Sequence, residues 1–341
     1  MSAIETRETF INEARIPAVL EVTSGHEAAI DEVVSWVTAS RPRILELMQE
    51  HGAVMLRGLR ALEGAQDFDR VVRAVSPKLM DYVGGTSPRQ IVHGQIVPST
   101  ELAPEASLPL PQETVYTDNP PDMLAFFSVA VATTGGETTL GDMAAVLRDL
   151  PPDLVERFQR GGVRLRRALP PRARVAAKAG VAKPWEEVFQ TDDVGEAERI
   201  AKERGWLTRR LPDDFLQVAQ ELRPATTKHP ATGTSVWYNQ AHIFAPTGSA
   251  AWARRDGRGE DAAKVERLAA AEPEMVDQVL HDDGSTIPAS DIEIIWKTLI
   301  KNEIKVAWQP RDVLFIDNIL VSHGRLPFTG PRKLLAALMR R

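Results

Sequence analysis

Asp317-Asn318-Ile319-Leu320-Val321-Ser322-His323, continued by Gly324-Arg325 and then by Gly330-Pro331-Arg332-Lys333, is the stretch that decides how the chain is read. An apolar run ending in an imidazole, with a guanidinium about nine positions further on, has the chemistry of one half of a site for a metal ion and a keto acid. Such a site needs two imidazoles and one carboxylate on one face of the ion, with the opposite face left open. The other half should therefore be a His-x-Asp or His-x-Glu pair on an early strand, where residues i and i+2 point the same way. The segment in that place reads Leu108-Pro109-Leu110-Pro111-Gln112-Glu113: it has the carboxylate and lacks the histidine.

Composition narrows the classes. The 341 residues, 43% of them hydrophobic, suffice for one large catalytic domain or two ordinary ones. A formal charge of −6, with 41 basic residues interspersed among 47 acidic ones, gives no overall basic field, so nucleic acid is not an expected partner. The run Arg164-Leu165-Arg166-Arg167, with Arg172 and Arg174, is a local exception and reads as a solvated strand and loop. The absence of cysteine excludes disulfides, thiolate metal sites and a cysteine nucleophile, so any metal must use nitrogen and oxygen ligands. Residues 1–15 are polar and no stretch reaches the ~18 apolar residues of a membrane span, so a cytoplasmic protein with no membrane partner is expected.

Along the chain, residues 16–23 predict a strand, Ser24 a helix cap, and the apolar spacing over 28–48 a helix. Residues 52–59 read as a short strand and 68–75 as an amphipathic helix, before a Gly/Ser/Pro-rich region, 84–112, that predicts loops and edge strands. Residues 123–132 are apolar on both faces and rich in branched and aromatic side chains, as a buried sandwich strand should be. Gly135-Gly136 ends that run, a further strand starts at Glu137, and 147–158 predicts a helix with Pro151-Pro152 at its turn. A polar, helix-leaning insertion over about 165–230 follows, then strand character at 235–239, helical pattern over 257–301 and alternation again from 313 through 338. Strands that flank a helical insert, instead of alternating with helices, favour an antiparallel β-sandwich or barrel.

No single one of these residues is specific: a histidine after a strand is structural in most proteins, and one glutamate identifies nothing. The combination is specific. The order Glu113, Gly135-Gly136-Glu137-Thr138, Asn239-Gln240-Ala241-His242, Asp317 to Arg325 and Gly330-Pro331-Arg332 resembles the TauD/TfdA (taurine dioxygenase) family of iron(II)/2-oxoglutarate-dependent oxygenases. Ser99-Thr100-Glu101 and residues 185–193 and 236–244 resemble its syringomycin-hydroxylase-like branch, and the likeness runs from about residue 50 to the C-terminus. The resemblance implies a mainly β fold with helices, a double-stranded β-helix or jelly roll. Its core would cover 84–164 and 230–341, with an N-terminal α/β extension over 1–83 and a helical insertion over 165–229, in a single domain spanning 1–341. It also implies that Glu113 and His323 are catalytic iron ligands and that Thr138 and Arg332 hold the distal carboxylate of 2-oxoglutarate. The chemistry of the last pair agrees, since a guanidinium gives a planar carboxylate two parallel charge-assisted hydrogen bonds and a threonine hydroxyl adds a third. Lys333 is the adjacent alternative, and alternation along a strand prevents both from pointing inward.

Pro111 is where the chain departs from the family pattern, which has the first histidine ligand at that position; a proline side chain carries no donor atom. Strand alternation would send Gln112 to the opposite face from Glu113. Three arrangements follow: His93, His242 or Asp118 swings in; Glu113 and His323 hold the metal alone with 2-oxoglutarate and water; or metal binding is lost. Tyr116, Asp118 and His242 are candidates for the substrate side. For the first two the alternative is a loop turned by Asn119-Pro120-Pro121, and for His242 a packed, hydrogen-bonded histidine. Arg325 would share the strand face of His323 and bind a substrate carboxylate or a surface acid. The resemblance implies hydroxylation of an amino acid or amino-acid-derived metabolite of secondary metabolism, free or tethered to a carrier protein. The alternatives are an enzyme using Glu113 and His323 for acid–base chemistry without iron or 2-oxoglutarate, and a non-catalytic binding protein. A homo-oligomer is compatible with the sequence.

Overall fold

The computed structural model describes residues 4–82, 90–100, 102–177 and 183–341. Glu101 and the boundary expected at 83/84 lie outside the described residues. From the N-terminus, β1 (Glu5–Phe10) and β2 (Ala18–Ser24) pair as a hairpin, α1 (Ile30–His51) crosses over, and β3 (Ala53–Arg57) returns parallel to β2. Ser24 is not a helix cap: it pairs with Glu5 at the end of β2, and α1 begins later, where the Ala29 amide donates to the Glu32 carboxylate at 2.8 Å. After α2 (Ala65–Val75) come two short edge strands, β4 (Leu79–Met80) and β5 (Val97–Pro98), then β6 (Met123–Ala130), β7 (Thr134–Gly135) and β8 (Thr138–Asp142). The helix expected over 147–158 is two, α3 (Met143–Asp149) and α4 (Pro152–Gln159), because neither Pro151 nor Pro152 has an N–H to continue the first.

The insertion holds β9 (Val163–Leu169), α5 (Trp185–Phe189), α6 (Val194–Glu203), β10 (Leu207–Arg210) and β11 (Leu216–Ala219). Beyond β12 (Thr226–Lys228) and β13 (Ser235–Trp237) lie α7 (Ala241–Phe244), α8 (Pro246–Arg255), α9 (Gly259–Ala271), β14 (Gln278–His281) and α10 (Ala289–Lys301). The chain closes with β15 (Glu303–Val306), β16 (Val313–Asp317), β17 (Val321–Arg325), β18 (Phe328–Thr329) and β19 (Lys333–Met339). The reading of 165–229 as helical therefore missed a sheet, ordered β10-β11-β9-β14. The arginine run at 164–167 is a strand, as expected, but not a solvated one: Val163, Leu165, Arg167, Ala168 and Leu169 of β9 are buried, because the long apolar stems of arginine cover hydrophobic surface.

Two sheets make the double-stranded β-helix. The larger runs β1-β2-β3-β16-β6-β19-β4, and β15-β8-β17 faces it. The larger sheet is buried on both sides, as the doubly apolar run at 123–132 requires. Leu124, Phe126, Leu314, Ile316, Ala336 and Leu338 face the sandwich interior. Their neighbours Met123, Ala125, Phe127, Val313, Phe315, Leu335 and Ala337 pack against α1 and α2 through residues such as Leu47 and Phe68.

Candidate active site

His323 is carried by β17, every residue of which is buried. The β8–β17 register sets His323 opposite Leu140 and Arg325 opposite Thr138, so these side chains share the face turned to the larger sheet. There the Phe126 ring lies 5.2 Å from the imidazole, centroid to centroid. The preceding turn is fixed by Asp317, whose Oδ1 accepts the Ile319 and Leu320 amides at 2.9 and 3.0 Å. Its Oδ2 meets Arg341 and, at 3.0 Å, Nε2 of His229. The Thr232 amide donates to Nδ1 of His229 at 3.1 Å, and Arg341 reaches both Nε2 of that ring and the Asp317 carboxylate.

Glu113 reaches the same place from a loop. Residues 108–113 are not a strand: Leu108 makes one bridge to Arg325, after which Leu110 and Thr114 adopt left-handed backbone at φ 53° and 51°. Side-chain alternation does not govern Gln112 and Glu113 here. Gly324 allows this close approach, since a Cβ on it would stand 2.5 Å from the Leu108 carbonyl oxygen. The His323 amide donates to the Pro111 carbonyl at 2.8 Å and Gln112 Nε2 to the Ile319 carbonyl at 2.8 Å, while Gln240 donates to the Gln112 carbonyl. Glu113 and His323 are both buried, with carboxylate Oε2 3.6 Å from imidazole Nε2.

Arg332 lies at the other end of a cavity lined also by Thr138, His323, Arg325 and Phe126. Gly136 makes room for it: this residue has φ 74°, and a Cβ there would stand 3.0 Å from Arg332 Cδ. Arg332 Nε donates to the Gly136 carbonyl at 2.9 Å, and its two terminal nitrogens have no hydrogen-bond partner among the described residues. Burial lowers its pKa to about 10, helped by the neighbouring charge of Arg325 and opposed by Glu137. Lys333, by contrast, is exposed. The Thr138 hydroxyl oxygen accepts from Trp308 Nε1 at 2.9 Å, which leaves the threonine proton to be donated elsewhere. A second cavity, of about 120 Å³, continues past Arg332 along Trp308 and Glu137.

The remaining candidates are placed as follows. Arg325 lines the same cavity, but its guanidinium is anchored by the carbonyls of Leu102, Ala103 and Ala106, and burial lowers its pKa to about 10. It is therefore not a surface ion pair. His242 is buried, with Nε2 directed at the Pro109 and Leu110 carbonyls at 3.0 and 3.3 Å, and burial lowers its pKa to about 4. It braces the loop in front of Glu113. Tyr116 packs edge-on against Phe244 beside a cavity lined by Tyr238 and Arg223, and the largely exposed Asp118 pairs with Arg223. His93 is exposed in a tight turn that bridges to Ile96. No third His, Asp or Glu joins Glu113 and His323 around a common ion among the described residues. Asn318, Gln240, His229 and Trp308 were not singled out by the sequence; Asn318 had a signal, as a lone amide within the apolar run before His323.

A double-stranded β-helix that brings a carboxylate and an imidazole together between its sheets, with a threonine and an arginine beyond them, defines a class: non-haem oxygenases of the jelly-roll type. The profile "Taurine catabolism dioxygenase TauD, TfdA family" matches residues 19–338, and the chain belongs to that family of iron(II)- and 2-oxoglutarate-dependent dioxygenases. It is 29% identical over 321 residues to the dapdiamide synthesis protein DdaC of Enterobacter agglomerans, covering 94% of this chain and 90% of that one. It is 30% identical over 295 residues to a clavaminate synthase-like protein of Arabidopsis thaliana, with 86% and 82% covered. Among solved structures, PvcB of Pseudomonas aeruginosa superposes with a TM-score of 0.54 at 15% identity, covering 100% of this chain and 93% of PvcB. AAD-2, solved with Mn(II) and N-oxalylglycine, gives 0.53 at 11%, with 98% of both chains covered. These two likenesses concern the fold. No helix among the described residues is long and apolar enough to cross a membrane.

The residues fit the family's cofactors unequally. The unpartnered terminal nitrogens of Arg332 and the free proton of Thr138 suit a carboxylate well. Glu113 and His323, 3.6 Å apart, are close enough to share one divalent ion bound at about 2.1 Å, but they supply two donors where the family pattern supplies three.

Proposed function

We propose that this protein is a 2-oxoglutarate-dependent hydroxylase whose iron is held by two protein ligands, Glu113 and His323, and that it acts in the cytosol on an amino acid or amino-acid-derived small molecule of secondary metabolism, free or carrier-bound. The observation that carries the reading is the buried 3.6 Å approach of the Glu113 carboxylate to the His323 imidazole, and that imidazole lines a cavity together with Arg332 and Thr138. Arg332 and Thr138 would take the distal carboxylate of 2-oxoglutarate, which points its keto acid end toward His323. When bound, iron and 2-oxoglutarate supply the oxidising power by coupling decarboxylation of the keto acid to succinate with activation of dioxygen. Phe126 and the closed β17 strand keep water from the imidazole, and the Tyr116–Asp118 loop is the substrate side. The relative named for dapdiamide synthesis supports a substrate drawn from secondary metabolism.

Protein purified without oxygen should bind iron at one per chain and release succinate from 2-oxoglutarate once oxygen is admitted. A protein that holds no iron and makes no succinate would sink the proposal. A second reading is favoured by Pro111 and by the absence of a third donor among the described residues: Glu113 and His323 act as a buried acid–base pair on a substrate bound at Arg332, without a metal. Product formation that persists in the presence of a chelator would select it.

A further inference from the structure

We infer that Asn318 is the positioning residue for Glu113, holding its carboxylate opposite His323; the consequence for an ion rests on the two-ligand reading above. Asn318 is wholly buried in the turn between β16 and β17. Its Oδ1 accepts the Glu113 amide at 2.6 Å, and its Nδ2 donates to the Glu113 carbonyl at 3.0 Å and the Pro121 carbonyl at 2.9 Å. A primary amide has one acceptor oxygen and two N–H donors, and these bonds use them all. The pairing with Glu113 copies a strand neighbour, since one amide answers both the N–H and the C=O of the same residue.

Glu113 depends on this substitute for a ladder. It lies outside every strand, just before Thr114 in left-handed backbone, and no sheet partner aims its side chain. The Asn318 amide in turn donates to the Asp122 carbonyl at 3.0 Å, so one residue grips both ends of the loop that carries Tyr116 and Asp118. His323 stands on the strand that leaves the same turn, with its own amide on the Pro111 carbonyl at 2.8 Å. Carboxylate and imidazole are thus referenced to one connection, the turn that passes from β16 in the larger sheet to β17 in the smaller. A site with two protein donors requires that, because no third ligand corrects an error in their separation.

Two variants test it. Asn318→Ala removes all three side-chain bonds. Asn318→Asp keeps the size and the acceptor but sets a carboxylate against two carbonyls, and it serves if the alanine variant does not fold. Backbone hydrogen exchange over residues 110–116 of the metal-free, full-length protein should quicken at least about tenfold in the variant, while β6 and β19 exchange as in wild type. Mn(II) affinity by anaerobic calorimetry should fall about 10- to 100-fold. Unchanged exchange at 110–116, or equal acceleration throughout β6 and β19, overturns the positioning role. Retained Mn(II) affinity in a variant with quickened exchange also overturns it. A wild type that binds no Mn(II) overturns the metal reading instead, and the exchange data then decide the role of Asn318.

Discussion

The Pro111 carbonyl accepts the His323 amide, so a residue without a metal donor still helps to hold one. A histidine at 111 would keep that backbone bond and add an imidazole near Glu113. Pro111→His should therefore raise Fe(II) or Mn(II) affinity by about tenfold or more, because even outer partners of metal sites are worth 10- to 100-fold. Calorimetric titration of the two proteins checks it, and equal affinities would show that position 111 does not face the ion. His242 acts at the same scale through a proton. Burial holds its pKa at about 4, below its ordinary value of 6.5, so the folded state binds this proton less readily than the unfolded chain. Its contribution is complete above pH 6.5 and is lost as pH falls through 4, by up to about 3 kcal/mol. His242→Gln should flatten the fall in urea midpoint between neutral pH and pH 4, and an unchanged slope would refute the assignment.

At the scale of elements, strand ends set where the side chains of the site arrive. Asp142 closes β8 and opens α3: its Oδ1 accepts the Ala144 and Ala145 amides at 2.9 and 3.0 Å, which starts the helix immediately after the strand that carries Thr138. Asp142→Ala should cost about 1 kcal/mol in denaturant unfolding, the usual effect of losing such a cap, with Glu113 and His323 left in place. A loss well above 2 kcal/mol would mean that Asp142 supports more than the helix start. The strands at 123–130, 313–317 and 333–339 were legible from their apolar runs. β14 was not, since it is a four-residue strand set between helices, and the arginine run of β9 read as a solvated strand although it lies half-buried inside a sheet.

Over the whole molecule, the larger sheet serves two cores at once. Leu124, Phe126 and Ile316 belong to the sandwich interior, and Ala125, Phe127 and Phe315 to the layer under α1 and α2. Neither layer can open without exposing a face of the same strands. Unfolding of the N-terminal layer and of the β-sandwich should therefore be a single transition, with far-ultraviolet circular dichroism and tryptophan fluorescence coincident in urea. Two separated transitions would assign the layers to independent units. Which candidate groups to look for was decided by the sequence alone: residue identity is local, so the motif order that resembles the family named Glu113, His323, Thr138, Arg332 and the departure at Pro111 before any coordinate. How those groups stand to one another was decided by tertiary structure. Glu113 sits on an irregular loop whose direction comes from Asn318 and not from strand alternation, and the terminal nitrogens of Arg325 and Nε2 of His242 are taken up by backbone carbonyls. Such contacts join residues that the chain keeps up to 223 positions apart, and no local pattern encodes them.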